Sequence, residues 1–201
     1  MSGRSVARAR ALVRLLAAWP LTVFVVGAAG AADLSFEQLL AELHAHAHRH
    51  DRFSERLTTP LLDRPVEASG ELFYDAPDHL EKRTLKPRPE RLVLEGRALT
   101  IERRQRTHHT TLDEFPELAP YIESIRATLA GDRAALERLF RVEFESHGTD
   151  WSLGLVPLAT SRTVGVARIR IEGAASEVRT VLIERTNGDR SVLVLAGAVA
   201  P

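Results

Sequence analysis

The sequence predicts an α+β domain: one antiparallel sheet of about ten strands that curls on itself, a helix ahead of it, and a helical pair inserted midway. Three observations carry this. Apolar residues recur at steps of three and four only near residue 40 and again between residues 115 and 140. Elsewhere they alternate with polar residues, and turn signals separate the alternating runs. Nowhere do strand and helix patterns alternate in the way a parallel sheet requires.

The chain opens on "MSGRSVARARALVRLLAAWPLTVFVVGAAGAAD". Arg4, Arg8, Arg10 and Arg14 precede an apolar run from Leu15 to Val26, and Ala29-Gly30-Ala31 fits a small-residue cleavage site. A cleavable secretory signal over residues 1–31 is therefore expected, leaving one domain over residues 32–201. The apolar run is short for a retained membrane anchor. The chain has no cysteine, so no lipid anchor can follow the signal, and disulfide and thiolate chemistry are excluded. The exported domain must rest on core packing, released rather than anchored. Cleavage takes four arginines and no acid from 27 basic and 27 acidic residues, leaving 23 against 27. That balance does not suit a nucleic-acid binder or electrostatic docking on an anionic membrane.

The elements follow in order. Asp33 to about His48 reads as a helix: Asp33 or Ser35 can cap it, Glu37 sits early, and Phe36, Leu39, Leu40 and Leu43 share a face. "RFSERL" begins the strands, and Pro60 and Pro65 interrupt after it. Strand patterns follow in "VEASGELFYDAP" and "HLEKRTLKPRP". "ERLVLEGRALTIERR" reads as a hairpin turning at Glu95-Gly96-Arg97, with Leu92 and Leu94 on one parity and Leu99 and Ile101 on another shared parity. "QRTHHTTL" can extend the sheet. In "PELAPYIESIRATLAGD", Leu118, Tyr121, Ile122, Ile125 and Leu129 fall at helical spacing until Gly131, and "RAALERLF" makes a second short helix. Strands then return. Trp151, Leu153 and Leu155 share a parity, Arg168 and Arg170 alternate against Ile169 and Ile171, and the last hairpin turns at Asn187-Gly188-Asp189.

The ordered set Gly70-x-Leu72-Phe73-Tyr74, Pro77, Leu80, then Leu94-Glu95-Gly96 with Leu99 closing the hairpin, resembles the LolA-like outer-membrane lipoprotein carriers. The resemblance runs from about Asp33 to Ala196. It implies a half-open curved antiparallel β-barrel of about 10–11 strands, with an N-terminal helix and an inserted helical lid enclosing an apolar cavity. It also implies a carrier of acylated cargo, without a chemical step or a cofactor. The expected wall and lid residues are Leu72, Tyr74, Leu92, Leu94, Leu99, Ile101, Leu118, Ile122, Ile125, Leu129, Trp151, Leu153, Leu155, Ile169 and Ile171. The same residues could instead fill a closed core. The expected setting is the periplasm of a Gram-negative bacterium. The expected partners are an acylated lipoprotein or lipid cargo, an inner-membrane donor and an outer-membrane acceptor, with no nucleic acid, and the chain is expected to be a monomer. A glycolipid or a pigment-linked lipid is an open alternative as cargo.

Three constellations compete with this reading. In "LHAHAHRHD", a continuing helix would pair His44 with His48 and His46 with His50 at i, i+4, whereas an extended run would put all four on one side. A metal site needs a third ligand and supporting partners, which the run does not supply, so an exposed helix-to-strand junction without metal is expected. His108 and His109 beside Thr110 and Thr111 would suit an envelope-lipid hydrolase, but no nucleophile elbow, zinc helix or phosphate loop accompanies them. The basic run Lys82, Arg83, Lys86, Arg88 and Arg91 reads as the solvated face of an edge strand, or as a docking surface. A sensor of mislocalised lipoprotein is a further alternative.

Overall fold

The computed structural model describes residues 33–46, 48–116, 119–159 and 165–198. The expected signal over residues 1–31 and the expected lid residue Leu118 lie outside these.

Helix α1 (Phe36–Ala45) begins at Ser35, whose hydroxyl accepts the Gln38 N–H at 3.1 Å. The Gln38 side chain accepts the Ser35 N–H at 2.8 Å in return, which completes a capping box. Leu39, Leu40 and Leu43 are buried along one face. The helix is shorter than the expected span to His48, because His48 already opens strand β1 (His48–Thr58). β1 pairs on both sides, and two ladders of hydrogen bonds outweigh one more helical turn.

Strands β2 (Val66–Asp75), β3 (His79–Lys86), β4 (Glu90–Glu95), β5 (Ala98–Arg103) and β6 (Arg106–Thr111) follow as successive antiparallel hairpins. A 3-10 turn (Leu112–Glu114) leads into helices α2 (Ala119–Leu129) and α3 (Arg133–Leu139). Then come β7 (Phe140–His147), β8 (Asp150–Pro157), β9 (Val166–Ala174), β10 (Glu177–Arg185) and β11 (Arg190–Ala198). All join one sheet in the order β6-β5-β4-β3-β2-β1-β11-β10-β9-β8-β7. β11 returns to lie against β1, so the two halves meet at the middle of the sheet. β6 and β7 are its edges and do not pair with each other. The helical insert runs from one edge to the other, so it spans the open side of a curved, half-open barrel.

Alternation decides which side chains face the helices. Phe53, Trp151, Leu153, Leu155, Ile169, Ile171, Val181 and Leu193 point inward and pack with Leu39, Leu40, Leu43 and Leu136 as the main core. A smaller core under β4 and β5 joins Leu94, Leu99 and Leu112, with Ile101, Phe115 and Ile122 against it. Arg168 and Arg170 face outward, as the alternation with buried Ile169 and Ile171 demands.

Helix α2 ends in a Schellman arrangement: Asp132 N–H donates to Ala127 O at 2.8 Å and Gly131 N–H to Thr128 O at 3.1 Å. Gly131 has φ +67°, and a Cβ there would lie 2.5 Å from Leu40 O, so glycine lets the end of α2 rest on α1.

A second expectation is corrected. The basic run is not an edge strand, because β3 lies between β2 and β4, and "QRTHHTTL" builds an edge farther out. Three of its five cations are paired within the sheet. Lys82 Nζ lies 2.5 Å from Glu55, Arg83 lies 2.8 Å from Glu81, and Arg91 lies 2.7 Å from Glu81 and 3.1 Å from Glu102.

An apolar cavity under the inserted helix

Between the inner face of the sheet and helix α2 lies a cavity of about 70 Å³. Leu72 and Leu80 line it from β2 and β3; Ile171, Val178 and Val181 from β9 and β10; Leu193 and Leu195 from β11. Tyr121, Ile125, Thr128 and Leu129 close it from α2. These four are one helical face, at the three- and four-residue steps that put side chains above one another. The Thr128 hydroxyl donates to Ser124 O at 2.7 Å, so it presents its methyl without an unpaired hydroxyl. Burial pushes the Tyr121 phenol well above its ordinary value, so it stays neutral.

One end of the cavity is polar. Arg49, Asp51 and Tyr74 line it, and Arg49 and Tyr74 are directly opposed on β1 and β2. Burial pushes the Tyr74 hydroxyl and the Asp51 carboxyl up, and the Arg49 guanidinium down, from their ordinary values. Arg49, Asp51, Phe73 and Val178 also line an open cleft of about 580 Å³ that includes His46, His48, His50, Asp75, Ser176 and Glu177. The cavity therefore meets solvent at its polar end.

The four clustered histidines diverge. His44 Nδ1 lies 3.0 Å from Ala130 O, which ties α1 to the end of α2. His46 Nδ1 lies 2.8 Å from Glu42 O, and His48 Nδ1 lies 2.7 Å from Asp75. His50 stacks on Phe73 with ring centroids 4.1 Å apart. Among the described residues, no three histidine or acidic side chains are grouped to hold a metal ion. His108 and His109 are both exposed on the edge strand β6; alternation puts them on opposite faces, and His109 pairs with the Thr100 hydroxyl at 3.1 Å. Neither lines the cavity.

Of the residues singled out from the sequence, Leu72, Tyr74, Ile125, Leu129 and Ile171 line the cavity. Trp151, Leu153, Leu155 and Ile169 sit in the main core. Leu94, Leu99, Ile101 and Ile122 belong to the smaller core. Leu92 stands on β4 between Lys82 and Ile101. The sequence reasoning missed Leu193 and Leu195, although "VLVLAG" shows their shared parity. It also missed Arg49 and Asp51, for which the sequence carries no signal, since they sit among the histidines.

Residues 28–201 match the family described as Outer membrane lipoprotein carrier protein LolA-like. No curated protein matches the chain. Among solved structures, a LolA superfamily protein from Nitrosomonas europaea is 12% identical, with a TM-score of 0.45, covering 82% of this chain and 94% of that one. LprF from Mycobacterium bovis is 11% identical, with a TM-score of 0.37, covering 83% and 93%. Lipoprotein LppX from Mycobacterium tuberculosis is 9% identical, with a TM-score of 0.38, covering 81% and 96%. With the family match spanning nearly all of the folded region, the chain belongs to the LolA-like outer membrane lipoprotein carrier family.

Proposed function

We propose that the protein is a periplasmic carrier of a Gram-negative bacterium. It binds the acyl chains of a lipoprotein or lipid in the cavity under α2 and passes them toward the outer membrane, with no chemical step. The observation that carries this reading is the apolar cavity between the sheet and a helix that spans its open side. Each methylene moved from water into such a site gains about 0.8 kcal/mol, so a shuttle must offer a comparably apolar lining.

The cavity is small. At about 70 Å³ it is well below the roughly 300 Å³ at which small-ligand pockets begin. Cargo entry therefore requires α2 to move off the sheet. Polar contacts hold α2 at its outer side: Arg126 Nη1 donates to Gly96 O at 2.8 Å, and Arg97 pairs with Asp113 and, at 3.3 Å, with Glu123. The hydrolase reading gains nothing from the geometry, because His108 and His109 stand on an exposed edge away from the cavity. The test is native mass spectrometry of the protein purified from its own periplasm, with lipid extraction and uptake of a fluorescent acyl probe. Co-purified acyl lipid and probe uptake are expected. No lipid and no uptake would overturn the reading.

A further inference from the structure

The polar end of the cavity has two hydrogen-bond donors that the protein itself does not use. Tyr74 is only 2% exposed, and its hydroxyl is buried without a partner. A buried phenol ordinarily finds one, and leaving it unmade is costly. Directly opposite on β1, Arg49 is held by backbone carbonyls: Nη1 donates to Ser176 O at 2.8 Å and Nη2 to Leu43 O at 3.4 Å. These two bonds fix the plane of the guanidinium. Its Nε–H remains buried and unpartnered. Both residues line the same apolar cavity.

Carboxylates outnumber the guanidinium at this end. Asp51 follows Arg49 on the same face of β1, and Glu177 lies in the adjoining cleft. A ligand group here must accept two hydrogen bonds, carry no full negative charge, and adjoin a hydrocarbon chain. A carbonyl oxygen has two lone pairs and meets all three demands.

We propose that Tyr74 Oη–H and Arg49 Nε–H bind the ester or amide carbonyl that joins an acyl chain to its headgroup. The chain lies along Leu72, Leu80 and Ile125, and the headgroup leaves through the cleft past His48 and Glu177. A free fatty acid is disfavoured, because its carboxylate would stand beside Asp51. This site rests on the carrier reading and specifies which part of the cargo is recognised.

The test is competition against a fluorescent acyl probe by three ligands of one chain length: a monoacylglycerol, the matching alkyl glyceryl ether that lacks only the carbonyl, and the free fatty acid. Two hydrogen bonds should favour the ester over the ether by about tenfold. Tyr74→Phe removes only an unpartnered hydroxyl. It should cut that preference to about threefold and leave the affinity for the ether and the urea midpoint of the free protein no lower. Equal binding of ester and ether by the wild type overturns the carbonyl site while the carrier reading stands, whether or not the variant folds. Equal weakening of both ligands by Tyr74→Phe also overturns it, as does a fatty acid that binds more tightly than the ester. Failure of the wild type to bind any acyl probe removes the carrier reading, and this site with it.

Discussion

Glu81 shows how single side chains set the register of the outer face. It points away from the helices, yet it is only 5% exposed, because Arg83 and Arg91 fold over it. Hydrogen bonds from Arg91, and then from Arg83, hold its carboxyl below the ordinary glutamate value, against the opposing effect of burial. A lowered folded value means that the stabilisation is present above the unfolded value of about 4.3 and is lost as pH falls through the folded one. Glu81→Gln should therefore cost about 1 kcal/mol at neutral pH, since both arginines are partly solvated. The difference should vanish in acid, where both proteins carry a neutral group. Urea unfolding midpoints measured across that range check this; a constant difference at every pH would show that the carboxylate charge is not what matters. At Gly70 the constraint is steric. A Cβ would lie 1.9 Å from Arg83 O, so only glycine permits that approach of β2 to β3.

At the level of elements, the turn between β5 and β6 departs from what local sequence favours. Arg104 and Gln105 both adopt positive φ, at 51° and 61°. That is the backbone of a two-residue hairpin turn, which normally takes Asn-Gly. No glycine, asparagine or proline marks "IERRQRTHH", so the sequence ends one run at Arg104 and begins the next at Gln105 with no turn signal between them. The cross-strand pairs Arg103–Arg106 and Ile101–His108 fix the turn from outside. The double substitution Arg104→Asn, Gln105→Gly should stabilise the protein by about 1 kcal/mol, because it relieves two left-handed residues. The urea midpoint should rise; a fall would mean that the two side chains contribute contacts worth more than the strain. By contrast, helix α1 was readable at its start, where Ser35 and Gln38 cap each other, and not at its end, where sheet pairing takes over at His48.

Over the whole molecule, the inserted helices bridge two unpaired sheet edges, and the cavity exists only because α2 lies across the inner face. β8 to β11 present a continuous apolar surface to α1, α2 and α3, whereas β4 and β5 hold only the smaller core. For the carrier role proposed above, α2 would open most cheaply where it meets the β4–β5 hairpin, through the Arg126 bond to Gly96 O. Arg126→Met should speed acyl-probe uptake by about fivefold, in line with the loss of one partly buried hydrogen bond. Hydrogen exchange in α2 should quicken while the β8–β10 amides keep their protection. Unchanged uptake with faster exchange would place the barrier elsewhere.

The sequence by itself determined the class of fold. Period-2 alternation fixed which residues share a strand face, and three- and four-residue spacing fixed the helices, because both follow from local backbone geometry. The family resemblance it carries placed Leu72, Tyr74, Ile125, Leu129 and Ile171 among the expected wall and lid residues. Only the tertiary structure decided which of those positions line a cavity and which fill a core, since that depends on where α2 crosses the sheet. It also decided that β1 lies between β2 and β11, a pairing between residues more than a hundred apart in sequence. That register sets Arg49 opposite Tyr74 and scatters the histidines of "LHAHAHRHD" onto unrelated partners. Strand register is a long-range choice made by packing, and no local pattern in the chain encodes it.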